Sequence, residues 1–271
     1  MTAAADAALL SVLKRDRLVV GAALALVTLA AWSYVLWLAA AMSAAAPAMP
    51  GMDMTMAGAM APGFARWTLA RAVLVFAMWA VMMIGMMMPS AAPMVLLYAQ
   101  VARQAKTLGR TFAPAGWFAS GYLLAWTCFA ALATLAQAAL EHAALLSPAM
   151  ASANRWFGGA VLIAAGLYQL TPLKHACLTQ CRAPLQFVQR HGGFRAGAWG
   201  SLRLGTLHGF YCIGCCWALM ALLFVGGVMN LVWIAGIAIF VLGEKVLPGG
   251  AMFGRLAGMA AVAAGVWVMF G

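Results

Sequence analysis

Seven apolar runs, at about 18–42, 72–100, 113–139, 156–173, 205–227, 230–247 and 253–270, alternate with short segments that hold most of the charge. A helix needs about 20 apolar residues to cross a bilayer core, so every run is long enough, with 156–173 and 230–247 the shortest. The pattern predicts an all-α polytopic membrane helix bundle of about seven transmembrane helices in one domain, 1–271. The first run follows Lys14, Arg15 and Arg17, as a signal peptide would. Its length of about 25 exceeds a signal core, so a retained first helix is expected. Two segments break the pattern. The stretch 43–66, rich in Ala, Pro, Gly and Met, reads as an outer loop without regular structure. The stretch 174–204 reads as a Cys/His/Arg-containing cytoplasmic loop, with a short interfacial helix near Pro184 to Arg190 and a turn at Gly192-Gly193.

Composition agrees and narrows the class. Hydrophobic residues make up 66% of the chain and charged residues 8%, and mean hydropathy is +0.97, which excludes a soluble globular domain. The net charge of +11 raises nucleic acid as a partner. The basic residues lie between the apolar runs instead, where a bilayer retains them on the cytoplasmic side and anionic lipid attracts them. With the N-terminus in the cytoplasm, thirteen of the sixteen basic residues fall inside, leaving Arg66, Arg71 and Arg155 outside. The inner loops then hold Arg103 to Arg110, Lys174 to Arg203, and Lys245 with Arg255, and Gly271 lies outside. This is the pattern of a multi-pass protein of a bacterial inner membrane, embedded in lipid and not bound to nucleic acid.

Soft metal ligands gather in four places. The outer loop carries Met52, Met54 and Met56 within the run MPGMDMTMAGAM, and thioethers favour Cu(I). On the second span Met78, Met82 and Met86 repeat at i, i+4, i+8 and form one helical stripe, although methionine is also a common core filler. Pro89 and Pro93 follow and are expected to interrupt that helix, freeing carbonyls at a position suited to a transport site. On the fifth span His208, Cys212 and Cys216 share one face at i, i+4, i+8, with Cys215 beside them. Thiolates and imidazole together suit Cu(I), with zinc as the alternative. The preceding segment adds His175, Cys177 and Cys181, the cysteines i, i+4 if helical, and this places them near Cys212 if the spans pack accordingly.

Other polar residues are fewer. Glu244, beside Lys245 at the inner end of the sixth span, is the candidate for proton coupling, with local pairing as the alternative. Glu141 and His142 read as an outer-loop pair. Cys128 and the tryptophans read as packing residues and interfacial anchors. No Ser/His/acid set, glycine-rich phosphate loop or carboxylate pair is present, so the chain does not read as an enzyme.

The runs MMMPSAAPM at 86–94, YQLTPLKHACLTQCRAP at 168–184 and GFYCIGCCWALMALLFVGGVMN at 209–230, followed by Glu244-Lys245, resemble an uncharacterised bacterial family of predicted metal-binding integral membrane proteins. The resemblance covers about 70–247 and implies a multi-span protein with a metal site, its candidate ligands being Cys177, Cys181, Cys212, Cys215 and Cys216. Together these features point to a protein that binds copper(I) and transfers or transports it between the Met-rich loop and the Cys/His cluster, with a metallochaperone or a membrane complex as partner. Two other readings use the same residues. One is a transmembrane thiol–disulfide electron conduit, which leaves the methionines without a role. The other is an assembly partner that uses metal only to hold its inner loop.

Overall fold

The computed structural model describes residues 3–45, 67–107, 113–147, 150–194 and 197–271, and among these the regular structure is helical, with a single isolated bridge between Leu146 and Ser152 and short turns between helices. Ten helices follow in order: α1 (Ala3–Ala45), α2 (Leu69–Thr107), α3 (Ala115–His142), α4 (Arg155–Leu170), α5 (Pro172–Arg182), α6 (Pro184–Arg190), α7 (Gly197–Ala221), α8 (Leu223–Gly226), α9 (Leu231–Val246) and α10 (Gly250–Phe270). Short polar caps start several of them. Asn154, Thr171 and Asn230 each accept a backbone N–H from the first turn that follows, satisfying a group the helix itself cannot.

The fold is an all-α polytopic membrane bundle, with fewer full crossings than expected. Among the described residues, five helical stretches are long and apolar enough to cross: Leu18–Ala41, Leu69–Ala105, Ala115–His142, Gly197–Gly226 and Gly250–Phe270. A sixth is possible if α4 and α5, bent by 64° at their junction, count as one. The expectation of seven fails on length, because α4 and α9 have 16 residues each and rise only about 24 Å against a core of about 30 Å. Likewise, 174–204 is not a loop: α5, α6 and the first turns of α7 occupy most of it, with the expected helix at Pro184–Arg190 present. The residues Met52, Met54 and Met56, and most of the Met-rich loop, lie outside the described residues.

Prolines 89 and 93 do not break α2, which runs unbroken from Leu69 to Thr107. Pro89 deprives the carbonyl of Gly85 of its helical donor, and Trp32 Nε1 of α1 supplies one at 3.2 Å.

At one end of the bundle Arg71 meets Glu141, Val228 N donates to Met150 O at 3.2 Å, and the rings of Trp156 and Phe270 pack at 5.5 Å. Thus α2 runs against α3, and α4 against α10. In contrast α3 and α7 run in the same direction and meet at glycines: Gly205 lies against the Phe118 carbonyl, and Gly209 against Tyr122 and Ala125. Any side chain at Gly205 would collide with that backbone. Such close approach is how helices bind one another where lipid offers no hydrophobic drive. The core between α2, α3 and α7 is filled by Met82, Met83, Met86, Met87, Trp79, Tyr122 and Trp126, all buried.

Candidate metal centre

The inner face of α7 presents four buried donors, His208, Cys212, Cys215 and Cys216, as the helical spacing requires. Cys212 is the hub. Its Sγ lies 3.0 Å from the Tyr122 hydroxyl of α3 and accepts from Lys245 Nζ of α9 at 2.9 Å. Three and four positions further on, about one helical turn away, the thiols of Cys215 and Cys216 donate back to the Cys212 carbonyl at 3.1 and 2.9 Å. From α5, Cys181 lies beside Cys212 and Cys215, close enough for the side chains to interact. Cys177, one turn earlier, puts its Sγ 2.8 Å from where a Cβ on Gly214 would stand, so a larger residue there would push the thiol aside. All six cysteines are free thiols.

Around this hub lies a ring of supports. Lys245 Nζ also donates to Ser90 Oγ at 2.9 Å, and Ser90 donates to the Met87 carbonyl at 2.9 Å. The same carbonyl accepts from Tyr122 at 3.2 Å. The methionine helix α2 therefore touches the thiol hub through its own backbone. Beside it sits a second polar group, where Lys174 pairs with Glu244 and Gln169 Nε2 donates to Glu244 at 3.2 Å. With Glu244 so engaged, the atoms that Lys245 touches are the Cys212 sulfur and the Ser90 hydroxyl. A buried ammonium is costly unless an anion faces it, and a sulfur anion at Cys212 meets that need.

The structure brings together Cys181, Cys212, Cys215 and Cys216, with Cys177 at their margin. Met82 and Met86 are buried on the stripe of α2 as expected. Several other assignments change. His208 is buried within a cage of Phe118, Tyr122 and Phe187, whose ring centres lie 5.1 to 6.0 Å away, and its Nδ1 has no partner. Among the described residues no three His, Cys, Asp or Glu side chains converge on a common point as one coordination shell requires. The sulfurs are neighbours rather than an assembled cage, because Cys212 is turned toward Lys245 and Tyr122. His175 is exposed and lines a separate cavity. Glu141 bonds to Arg71, Trp67 and Gln137 instead of His142. Glu244 is paired with Lys174 on another helix, and Lys245, read as a loop anchor, is buried at the hub. Trp79 and Trp126 pack in the core, as one of the two roles read for the tryptophans has it, whereas Cys128 is exposed on the bundle's outside.

Sequence reasoning missed Lys245, Tyr122 and Ser90. One signal was present for Lys245, a lysine placed directly after an apolar run that ends in a lone acid. Ser90 sits within the MMMPSAAPM run, but nothing local marks its hydroxyl. Tyr122 carries no local signal at all.

A family model, PpoB2, described as a copper chaperone, matches residues 76–268. No curated protein and no solved structure matches the chain.

Proposed function

The chain belongs to the PpoB2 copper chaperone family, and from that premise we propose that it receives Cu(I) as cargo on the sulfurs of Cys212, Cys181, Cys215 and Cys216 and passes it on within the membrane. The observation that carries this reading is the Cys212 sulfur, buried at the meeting of four helices, with three further thiols around it and an ammonium as its present counter-charge. Thiolate sulfur is the donor class that best suits Cu(I), which accepts two or three such ligands. Because the donors are not preassembled, loading requires Cys212 to turn away from Lys245 and its neighbours to rotate toward one point. A chaperone gains from such a site, since assembly costs reduce affinity and keep the cargo exchangeable.

In this reading the buried stripe of Met78, Met82 and Met86 forms the approach, covering about 12 Å along α2 between the Glu141 end and the hub. The Met-rich segment with Met52, Met54 and Met56 captures or releases the ion at that end, and Cys177 exchanges it with a metallochaperone or a membrane complex at the other. His208, with a free ring nitrogen one turn from Cys212, is the reserve ligand. The proposed home is a bacterial inner membrane, and the task is binding and transfer rather than catalysis. Zinc is the alternative cargo.

Anaerobic titration of purified protein with Cu(I) against a competing chelator tests this. Cys212→Ser is expected to weaken binding by at least about 100-fold, the upper end of what losing even a supporting group costs a metal site. Equal affinity in the variant refutes the assignment. Absence of bound copper in the wild type, together with an oxidation-dependent mobility shift that needs both Cys212 and Cys216, transfers support to the thiol–disulfide conduit.

A further inference from the structure

Two cavities meet at one residue that the thiol hub does not use. The first, of about 280 Å³, lies where α4 bends into α5 against the start of α10, and is lined by Lys174, His175, Arg255 and the first turn of α5. The second, of about 200 Å³, is an apolar crevice between α4, α7, α9 and α10, lined by Leu222, Ile237, Phe240 and Ala261 among others. Gln169 lines both. Its Nε2 is spent on Glu244, while its Oε1 is buried and has no partner. A buried, unpartnered amide oxygen is costly, and a donor from a bound molecule would relieve it.

We infer that these joined cavities hold one anionic phospholipid whose headgroup offers a hydroxyl, as a glycerol headgroup does. The phosphate sits between Arg255, His175 and the N-terminal turn of α5, the headgroup hydroxyl donates to Gln169 Oε1, and one acyl chain lies in the crevice toward Leu222. Three features on the page choose this occupant. Lys174 is neutralised by Glu244, which leaves the exposed Arg255 and His175 to face an anion. The helix α5 has 11 residues and opens toward the same cavity, adding the partial positive charge of its N-terminus. The apolar crevice shares Gln169 with the basic cavity, and a basic site beside an apolar one is a pairing that a free phosphate does not need and a lipid does. Basic pockets between membrane helices bind lipid headgroups for the same reason.

Delipidated full-length protein in neutral detergent, titrated with phosphatidylglycerol, phosphatidylcholine or glycerol phosphate, tests the inference by native mass spectrometry and thermal unfolding. One phosphatidylglycerol is expected to bind and raise the melting temperature by a few degrees, with phosphatidylcholine at least tenfold weaker. Arg255→Gln should abolish that preference. Gly236→Leu, at a glycine on the crevice wall with nothing within 4 Å of an added Cβ, should fill the crevice and remove both lipids. Equal binding of the two lipids, an unaltered preference in Arg255→Gln, or glycerol phosphate binding as well as the lipid would overturn it. Cu(I) affinity is measured on the same samples, so a failure here leaves the copper assignment standing or falling on its own data.

Discussion

Two lysines are buried in the same polar region, yet they face opposite chemistries. Lys174 meets the carboxylate of Glu244, whereas Lys245, the next residue in sequence to that glutamate, meets the sulfur of Cys212. The difference lies in what each anion does once its lysine leaves. A carboxyl group stays neutral at pH 7 only against its ordinary preference, at about 1.36 kcal/mol per pH unit. A thiol is ordinarily neutral there. The first pair is therefore a lock, and the second holds a sulfur that a proton or a soft cation can claim.

Breaking the lock should produce the largest effect. Lys174→Met is expected to destabilise the protein by about 3–4 kcal/mol at pH 7, because Glu244 must then take up a proton in a buried site. Lowering the pH makes that proton easier to supply, so the loss should shrink to about 1 kcal/mol at pH 5. Thermal unfolding of the variant and the wild type at both pH values measures it, and a loss independent of pH contradicts the pairing. Pairing Lys174→Met with Glu244→Leu should recover most of the stability, since no charge then remains unmatched.

Lys245→Met should behave differently. Cys212 then takes up the proton that a thiol ordinarily holds at pH 7, and the expected destabilisation is about 1 kcal/mol, the worth of the lost hydrogen bonds. Its signature is the absence of the pH dependence seen for Lys174→Met, read in the same unfolding series. A loss as large as that of Lys174→Met erases the distinction between the two pairs. Tyr122→Phe is the smallest perturbation, at about 0.5 kcal/mol, because its hydroxyl is shared between Cys212 and the Met87 carbonyl. Cu(I) titration of this variant should change affinity by less than about tenfold, as expected for a group that supports a ligand without being one.

The parts of the site that could be read from sequence are those that lie on one helix. His208, Cys212, Cys215 and Cys216 share a face of α7, and Met78, Met82 and Met86 share a stripe of α2, because helical periodicity places neighbours three and four positions apart on one side. The helix at Pro184–Arg190 was legible for the same local reason. Convergence was not. His208 shares the stripe with Cys212, yet its ring is held among three aromatic side chains from α3 and α6, and no periodicity could have indicated that. The prolines of α2 misled because their effect depends on a donor, Trp32, that arrives from another helix.

By itself the sequence determined the membrane bundle, since no water-soluble packing can bury a chain with 66% hydrophobic residues, and it determined which faces carry sulfur. Only the tertiary structure decided which atoms meet those sulfurs. Lys245 reaches Cys212 across 33 positions, Tyr122 across 90, and Ser90 meets Lys245 across 155. Those meetings follow from the glycine-mediated closeness of α3 and α7 and from the last turn of α9, which directs Lys245 inward to the hub.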